Sequence, residues 1–245
     1  SHWPFLGDSM SNYVVLSPET HHDTRVLTEP GKTQADVVQF AMTHPLEFRN
    51  IQACYPIFFS KSRDTGEFFP LALLGFEKNE NLFITQGQWH ASYIPMMIER
   101  QPFLVGYQQT ADENPNPVVS IDINSPKISD NEGQRLFEGN KPTDYMKGIM
   151  AKLEALHQGH EHGKGFISAL TDNDLLEPFS LDITLNNGTS NQLMGFYTIN
   201  EHKLLELDGD TLANFNQKGY LQPIYMAVAS YARIRDLIDK KNALI

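Results

Sequence analysis

The first half of the chain consists of short apolar runs separated by short polar turns. These runs are rich in aromatic and β-branched residues, as strands are, and they cover residues 55–59, 69–76, 82–85, 103–107 and 118–123. Short turns join the first three runs, which is typical of an antiparallel meander. The pattern therefore predicts three adjacent antiparallel strands followed by two more strands.

The segment after the third run has the spacing of a helix. Its large apolar residues recur at intervals of one helical turn and are Trp89, Tyr93, Met96 and Met97. Such spacing predicts one apolar helix face, and Pro95 limits the length of this helix because proline disrupts helix interiors.

The second half of the chain predicts helices around one hairpin. One helix face is formed by Tyr145, Ile149, Leu153 and Leu156. Residues 157–165 are rich in histidine and glycine, which predicts a loop, and residues 165–170 predict a second short helix. Residues 179–185 and 193–199 flank a polar segment containing Asn-Gly, which predicts a β-hairpin.

The C-terminal region predicts two helices. Asp208 can cap a helix that ends at Gly219, and Pro223 suits the first turn of a last, amphipathic helix. All elements together predict an α+β fold, with a mainly antiparallel β-sheet, packed helices and a helical C-terminus.

The domain organisation predicted from the chain is simple. Residues 1–9 precede Met10 and match no secondary-structure pattern, so we interpret them as an expression-tag remnant. Residues 10–245 suit a single domain of this size class. The polar, turn-rich segment 124–142 is the best candidate for a seam between subdomains.

Charge and cysteine content narrow the class of protein. The chain has 19 Lys and Arg against 30 Asp and Glu, a net charge of −11, which disfavours nucleic acid and anionic membranes as partners.

Cys54 is the single cysteine, so no intramolecular disulfide forms and a reducing compartment is expected. Without a visible secretory signal or an apolar run of about 20 residues, we expect a cytoplasmic protein with no membrane span.

The sequence around Trp89 is the best candidate for a ligand-binding site. Trp89, Tyr93 and Arg100 combine aromatic stacking with one cation, a set that suits a peptide, a sugar or an aromatic small molecule. The alternative is a core tryptophan under the sheet, with Arg100 extending to water.

Four ionisable residues are weak candidates for catalysis: His44, Glu47, His90 and Asp122. His44 and Glu47 either face a pocket or form a local hydrogen-bond network that holds the segment. Asp122 fits an Asx-type turn at a strand end, and the ligand spacing of a calcium loop is absent.

The histidines His157, His160 and His162 are the only dense cluster of residue types that bind metals. Their spacing differs from that of zincins, in which two histidines lie at i and i+4 around a glutamate. A solvated polar loop is the alternative to a metal site, and we predict neither a metal nor a cofactor.

These landmarks together resemble the SapC family of bacterial proteins. The resemblance rests on four places in chain order, and the first is Tyr55-Pro56-Ile57-Phe58-Phe59. The second runs from Asn81 through Trp89 and Tyr93-Ile94-Pro95 to Pro102-Phe103, and the third consists of Asp122, Ser125-Pro126, Gly133 and Leu136-Phe137. The fourth is the segment from Gly195 to Glu201, followed by Lys203-Leu204, Gly219-Tyr220-Leu221 and Pro223-Ile224-Tyr225. Glu99 departs from the family pattern, which often has a second Arg there, so a basic pocket is not expected at this point.

The resemblance implies an accessory protein linked by its family name to bacterial surface layers. Family members also tend to be encoded near flavin-dependent tryptophan halogenases and TonB-dependent receptors, which implies a role in uptake or modification. We therefore expect a non-enzymatic binding protein whose partner is a small molecule or peptide, or another protein. The alternative is an enzyme, hydrolase-like or metal-assisted, that uses the histidines and carboxylates named above. The sequence predicts no oligomeric state.

Overall fold

The chain forms two compact units, each assembled from two separate stretches of sequence. In the computed structural model the described residues are 11–108 and 116–245. The first unit comprises the residues up to Asp36 and Met96–Gln158, and the second comprises Val37–Pro95 and Gly159–Ile245. The segment 124–142 lies inside the first unit, and residues 1–9 lie outside the described residues.

The described strands are short except for one hairpin near the C-terminus. In chain order they are β1 (Tyr13–Val15), β2 (Arg25–Val26), β3 (Phe40–Met42), β4 (Ile57–Lys61), β5 (Phe68–Leu73), β6 (Ile84–Thr85), β7 (Gln88–Trp89), β8 (Phe103–Gln108), β9 (Asn116–Asp122), β10 (Ile128–Ser129), β11 (Gln134–Arg135), β12 (Phe137–Glu138), β13 (Lys141–Pro142), β14 (Leu176–Thr184) and β15 (Ser190–Ile199).

One long helix and several short ones accompany the strands. They are α1 (Pro18–His21), α2 (Phe48–Ile51), α3 (Met96–Glu99), α4 (Asp144–Asp172), α5 (Glu201–Leu205), α6 (Gly209–Lys218), α7 (Leu221–Ser230) and α8 (Ile234–Asn242), with 3₁₀ turns at Gln34–Asp36, Pro45–Glu47 and Tyr231–Arg233. Among the described helices, none combines the length and the apolar character that crossing a bilayer requires.

The first unit is built on a three-stranded antiparallel sheet in the order β1-β9-β8. Its core joins inward side chains of the strands, such as Phe103 and Ile121, to Met146, Ile149 and Leu153 on the first turns of α4. The i, i+3, i+7 spacing of these helix residues puts them on one face, so the predicted apolar face of this helix is confirmed.

A buried ion pair also lies in the first unit. The ammonium group of Lys127 is 3.1 Å from the carboxylate of Asp36, and the two side chains are 4% and 0% exposed. The backbone amide of Gly31 donates a 2.8 Å hydrogen bond to the same carboxylate. The pair therefore ties the segment before residue 36 to the loop that carries Lys127.

The second unit is built on a five-stranded antiparallel sheet in the order β14-β15-β4-β5-β3. Ile57, Leu71 and Leu73 on the central strands are fully buried, and helix α7 packs on β4 and β15. The hydroxyl of Ser230, at the end of α7, accepts a 2.8 Å hydrogen bond from the backbone amide of Ile57. Antiparallel sheets, packed helices and a helical C-terminus confirm the predicted α+β fold.

The predicted three-stranded meander is only partly correct. Strands β4 and β5 pair as expected, but β6 pairs with β7 in a separate two-stranded ribbon. Gln86 and Gly87 turn this ribbon with φ values of 52° and 71°, the left-handed conformation that tight hairpins require. Trp89 therefore lies in a strand, and the prediction of a helix beginning there was wrong; helix α3 begins only at Met96.

The prediction of a loop at residues 157–165 was also wrong, because the 29-residue helix α4 includes this segment without interruption. Glycine weakens a helix by about 1 kcal/mol relative to alanine, which is why the sequence indicated a break. Gly159 and Gly165 are instead required by packing: a Cβ at these positions would overlap the His44 ring and the Tyr220 hydroxyl, respectively.

Helix α6 begins and ends where the sequence predicts, but the predicted single last helix is divided in two. The Asp208 side chain accepts a 2.7 Å hydrogen bond from the backbone amide of Thr211, and Gly219 ends α6 with a φ of 75°. The last helix is not continuous, because a 3₁₀ turn at Tyr231–Arg233 separates α7 from α8. In that turn the Tyr231 hydroxyl accepts a 2.8 Å hydrogen bond from the amide of Ile199.

Candidate functional site

The second unit contains a cavity of about 390 Å³ between the end of β3, the start of β5 and the second half of α4. Its walls mix aromatic and aliphatic side chains with histidine and hydroxyl groups. The lining residues are Met42, Thr43, His44, Pro45, Gly66, Glu67, Phe68, Phe69, Pro70, His160, Gly163, Lys164, Ile167, Ser168 and Thr171.

His44 is the polar group that distinguishes this cavity. Its residue is 5% exposed, and neither ring nitrogen has a hydrogen-bond partner among the described residues. Leaving a buried polar group unpaired costs about 1–3 kcal/mol, and such groups are rare in folded proteins. His44 is therefore a hydrogen-bonding group that the fold buries without using.

Local sequence explains how His44 reaches this position. His44 has an extended backbone (φ −145°, ψ 160°), as expected for a residue before proline, and Pro45 begins the following 3₁₀ turn. The imidazole packs against the backbone of α4 at Gly159, where a side chain would overlap the ring. A glycine in the middle of this helix thus makes room for the histidine.

The surroundings keep His44 uncharged. Burial, and then the positive charges of His160 and His162, lower the pKa of His44 from 6.5 to about 4. At neutral pH the ring therefore carries one N–H donor and one nitrogen acceptor. In this state it can bind a ligand group without a counter-ion.

Glu47, a weak catalytic candidate, belongs to a buried hydrogen-bond network. Its carboxylate accepts hydrogen bonds of 2.5 Å from the Thr43 hydroxyl and 2.8 Å from the Tyr93 hydroxyl. The residue is 1% exposed. These bonds match the structural role that the sequence analysis left open for Glu47, that of holding the segment around the 3₁₀ turn.

Trp89 and Tyr93 are joined through Tyr55. The indole N–H of Trp89 donates a 3.0 Å hydrogen bond to the Tyr55 hydroxyl, which donates in turn to the backbone carbonyl of Tyr93. Burial raises the pKa of Tyr55 above its usual value, so the phenol stays protonated. The polar atoms of both aromatic residues thus point to protein partners, while their rings are half-buried.

The other predicted residues are distributed over both units. Arg100 belongs to the first unit, where its guanidinium donates 3.0 Å to the backbone carbonyl of Phe103. Asp122, also in the first unit, accepts bonds from the amides of Asn12 and Asn124 in the expected Asx-type turn. His90, in the second unit, has an exposed side chain. Ligand binding by Trp89, Tyr93 and Arg100 stays a prediction.

The three histidines that were weak candidates for metal binding, His157, His160 and His162, all lie on α4. His160 lines the cavity and His162 contacts the ring of Tyr220, with 6.0 Å between ring centroids. Within residues 11–108 and 116–245, no group of three or more His, Cys, Asp or Glu side chains is arranged to hold a metal ion.

Sequence reasoning did not find the cavity, although it singled out His44 and His160 separately. These two residues are far apart in the chain and meet only because α4 continues beyond residue 157. Phe69 began the predicted strand 69–76, and nothing in the sequence marked it or Phe68 as a cavity residue. A histidine before proline and a glycine within a histidine-rich helix were the available signals.

The fold and cavity define an α+β protein with a partly apolar pocket around a buried neutral histidine. The model of the SapC family matches residues 16–237 of the 245-residue chain, so the chain belongs to the SapC family. Neither the curated proteins nor the solved structures contain a match to the chain.

Proposed function

We propose that this SapC-family protein is a non-enzymatic binding protein that holds a small organic molecule in the His44 cavity. The observation that carries the proposal is the buried imidazole of His44, whose nitrogens have no partner among the described residues. A ligand that hydrogen-bonds to this ring would satisfy a buried polar group that no described protein group satisfies.

The size and walls of the cavity support a small ligand. Its volume of about 390 Å³ lies within the range of small-molecule sites, and such sites combine apolar walls with a few polar groups. The rings of Phe68 and Phe69 are held by contacts with Tyr197 and Phe40, at centroid distances of 4.8 and 6.2 Å. Walls positioned in this way favour an aromatic small molecule over a flexible peptide, because less ordering is needed on binding.

Binding is favoured over catalysis by the geometry around His44. A histidine that activates a nucleophile must hydrogen-bond to its hydroxyl or thiol, and no such bond to His44 exists in the part of the chain that the structure describes. A pKa of about 4 also makes His44 a weak base at neutral pH. An accessory role in a surface-layer or uptake system, the expectation from the family resemblance, agrees with a protein that binds without reacting.

A thermal-shift screen tests the proposal. The panel contains indole, aromatic amino acids, short peptides, oligosaccharides, flavin and divalent metals, tested on the wild type, His44→Phe and Trp89→Ala. We expect an aromatic small molecule to raise the Tm of the wild type and of Trp89→Ala but not of His44→Phe, because only protein with an intact site is stabilised by ligand.

Circular dichroism establishes that each variant is folded before it is compared. A ligand response that survives in His44→Phe and disappears in Trp89→Ala would move the site to Trp89. A response to metals alone would favour the enzyme alternative. A folded wild-type protein with no response to the panel would contradict small-molecule binding.

A further inference from the structure

We infer that the ligand meets His44 with an uncharged polar group that can both donate and accept a hydrogen bond, such as a carboxamide or a hydroxyl, attached to a flat apolar body. This inference rests on the proposed function and names the chemical class of the ligand.

The first argument comes from the imidazole itself. A neutral histidine offers a donor at one nitrogen and an acceptor at the other, and both nitrogens of His44 are buried without a partner within the described residues. A carboxamide or hydroxyl can pair with whichever nitrogen it meets. A carboxylate can only accept and an ammonium group can only donate, so each requires one particular tautomer of His44, whereas a carboxamide or hydroxyl can pair with either tautomer.

The second argument comes from the charges that line the cavity. Lys164, the permanent cation of the lining, is paired at 2.7 Å with the carboxylate of Glu161. Glu67, the carboxylate of the lining, has an exposed side chain. Neither Lys164 nor Glu67 is therefore available as a buried counter-ion for an ionised ligand group beside His44. Burying a charge without a counter-ion is costly.

The third argument concerns a cation. His160 lines the same cavity, and protonation of His160 or His162 disfavours a positive charge at His44. A cationic ligand group beside His44 would meet the same repulsion when these histidines are protonated.

The fourth argument concerns the body of the ligand. The apolar part of the cavity lining includes Pro45, Phe68, Phe69, Pro70 and Ile167. Aromatic rings and proline rings present flat apolar surfaces on which a planar ring can stack. A planar aromatic body therefore fits this lining.

Three isosteric probes test the inference: benzamide, benzoate and benzamidine. They share one ring and a planar three-atom head group, and they carry charges of 0, −1 and +1 at pH 7. Dissociation constants come from chemical-shift titrations of the ¹⁵N-labelled full chain, because molecules of this size bind weakly. We expect benzamide to bind at least tenfold more tightly than either charged probe.

His44→Phe is the informative variant, and His202→Phe, at an exposed histidine outside the cavity lining, is the matched control. Benzamide should lose at least tenfold in affinity in His44→Phe and keep its affinity in His202→Phe. Equal loss in both variants, or tighter binding of benzoate or benzamidine, would overturn the inference. Tighter binding of a charged probe would still leave the cavity a ligand site, so the proposed function would survive.

Failure of all three probes to shift signals of residues lining the cavity would also overturn the inference. The proposed function is then judged separately by the thermal-shift panel, which contains larger and chemically different ligands. A second variant, His44→Leu, replaces His44→Phe if the larger phenyl ring prevents folding.

Discussion

The Tyr93 hydroxyl donates a 2.8 Å hydrogen bond to the carboxylate of Glu47, which is 1% exposed. This bond joins the segment after β7 to the 3₁₀ turn that follows His44. Glu47 also accepts a hydrogen bond from Thr43, which lines the cavity. The network thus supports the backbone on both sides of His44 and connects the predicted aromatic site to the cavity.

Removing the Tyr93 hydroxyl should destabilise the protein. Tyr93→Phe leaves the buried Glu47 carboxylate with one donor fewer, and we expect a loss of about 1–3 kcal/mol in the free energy of unfolding. Urea denaturation followed by circular dichroism measures it. Tyr225→Phe is the control, because that side chain is 50% exposed, and it should change stability by less than about 0.5 kcal/mol. A loss of unfolding free energy in Tyr93→Phe no larger than the loss in Tyr225→Phe would show that the hydrogen bond to Glu47 does not stabilise the protein.

Alanine at two glycines of α4 should have opposite effects. At Gly148 a Cβ would meet no atom within 4 Å, so Gly148→Ala should stabilise the protein by about 0.5–1 kcal/mol through helix propensity. At Gly159 a Cβ would overlap the His44 ring, so Gly159→Ala should destabilise by about 1–3 kcal/mol through overpacking.

The two glycine variants are compared by thermal unfolding at one pH. Stabilisation by Gly159→Ala equal to that by Gly148→Ala would mean that His44 does not pack against α4. Gly159→Ala should also weaken benzamide binding, since the displaced imidazole would no longer have its position in the cavity.

Acid should destabilise the protein through His44. The pKa of His44 is about 4 in the folded chain and 6.5 for the free group, so between these values the unfolded chain binds more protons. The contribution of His44 to the free energy of unfolding is fully present above about pH 6.5, falls by up to about 3 kcal/mol as the pH drops to about 4, and changes little below that.

Comparison with His44→Phe isolates this contribution. The nearby groups His160, His162, Lys164 and Glu67 remain in both proteins, so their titrations contribute to both stability curves. The free energy of unfolding, measured from pH 4 to 7.5, should fall more steeply in the wild type than in the variant. Parallel curves would contradict the burial of a neutral His44. At pH 7, His44→Leu should match or exceed wild-type stability, because a buried polar group without a protein partner is replaced by an apolar side chain of similar size.

The buried Lys127–Asp36 pair of the first unit should be costly to break from one side. Lys127→Met leaves the buried Asp36 carboxylate without its counter-ion, and we expect a loss of about 3–5 kcal/mol. Adding Asp36→Asn removes that charge and keeps an acceptor for the Gly31 amide, so the double variant should recover part of the loss.

Differential scanning calorimetry of these variants tests the pair. The exposed pair Lys147–Asp144, at 3.7 Å, provides the control, and Lys147→Met should cost less than about 1 kcal/mol. A double variant less stable than Lys127→Met alone would show that Asp36 stabilises the fold independently of Lys127.

The local pattern of residues was enough to predict most elements and the fold class. Apolar runs produced β4, β5, β8 and β9 near their predicted positions, and the Asn-Gly hairpin and the ends of α6 follow from turn and capping residues. These features depend on interactions between residues that are close in sequence, so a single sequence contains the information. The order of motifs was likewise sufficient to identify the SapC family, which the family model confirms.

Tertiary contacts decided what the local pattern could not. Glycine and histidine at 157–165 predict a loop, yet α4 continues because Gly159 and Gly165 accept the His44 ring and the Tyr220 hydroxyl at close range. The strand pairing of Trp89 likewise depends on a left-handed turn at Gln86-Gly87.

The cavity is the clearest case of this division. The sequence supplied its chemistry, an imidazole before a proline and a second histidine on a helix. Only the packing of β3, β5 and α4 places these residues around one cavity. The same packing leaves both nitrogens of His44 without a hydrogen-bond partner among the described residues. Burial, which lowers the pKa of His44 and makes it a neutral binding group, is a property of the packed fold.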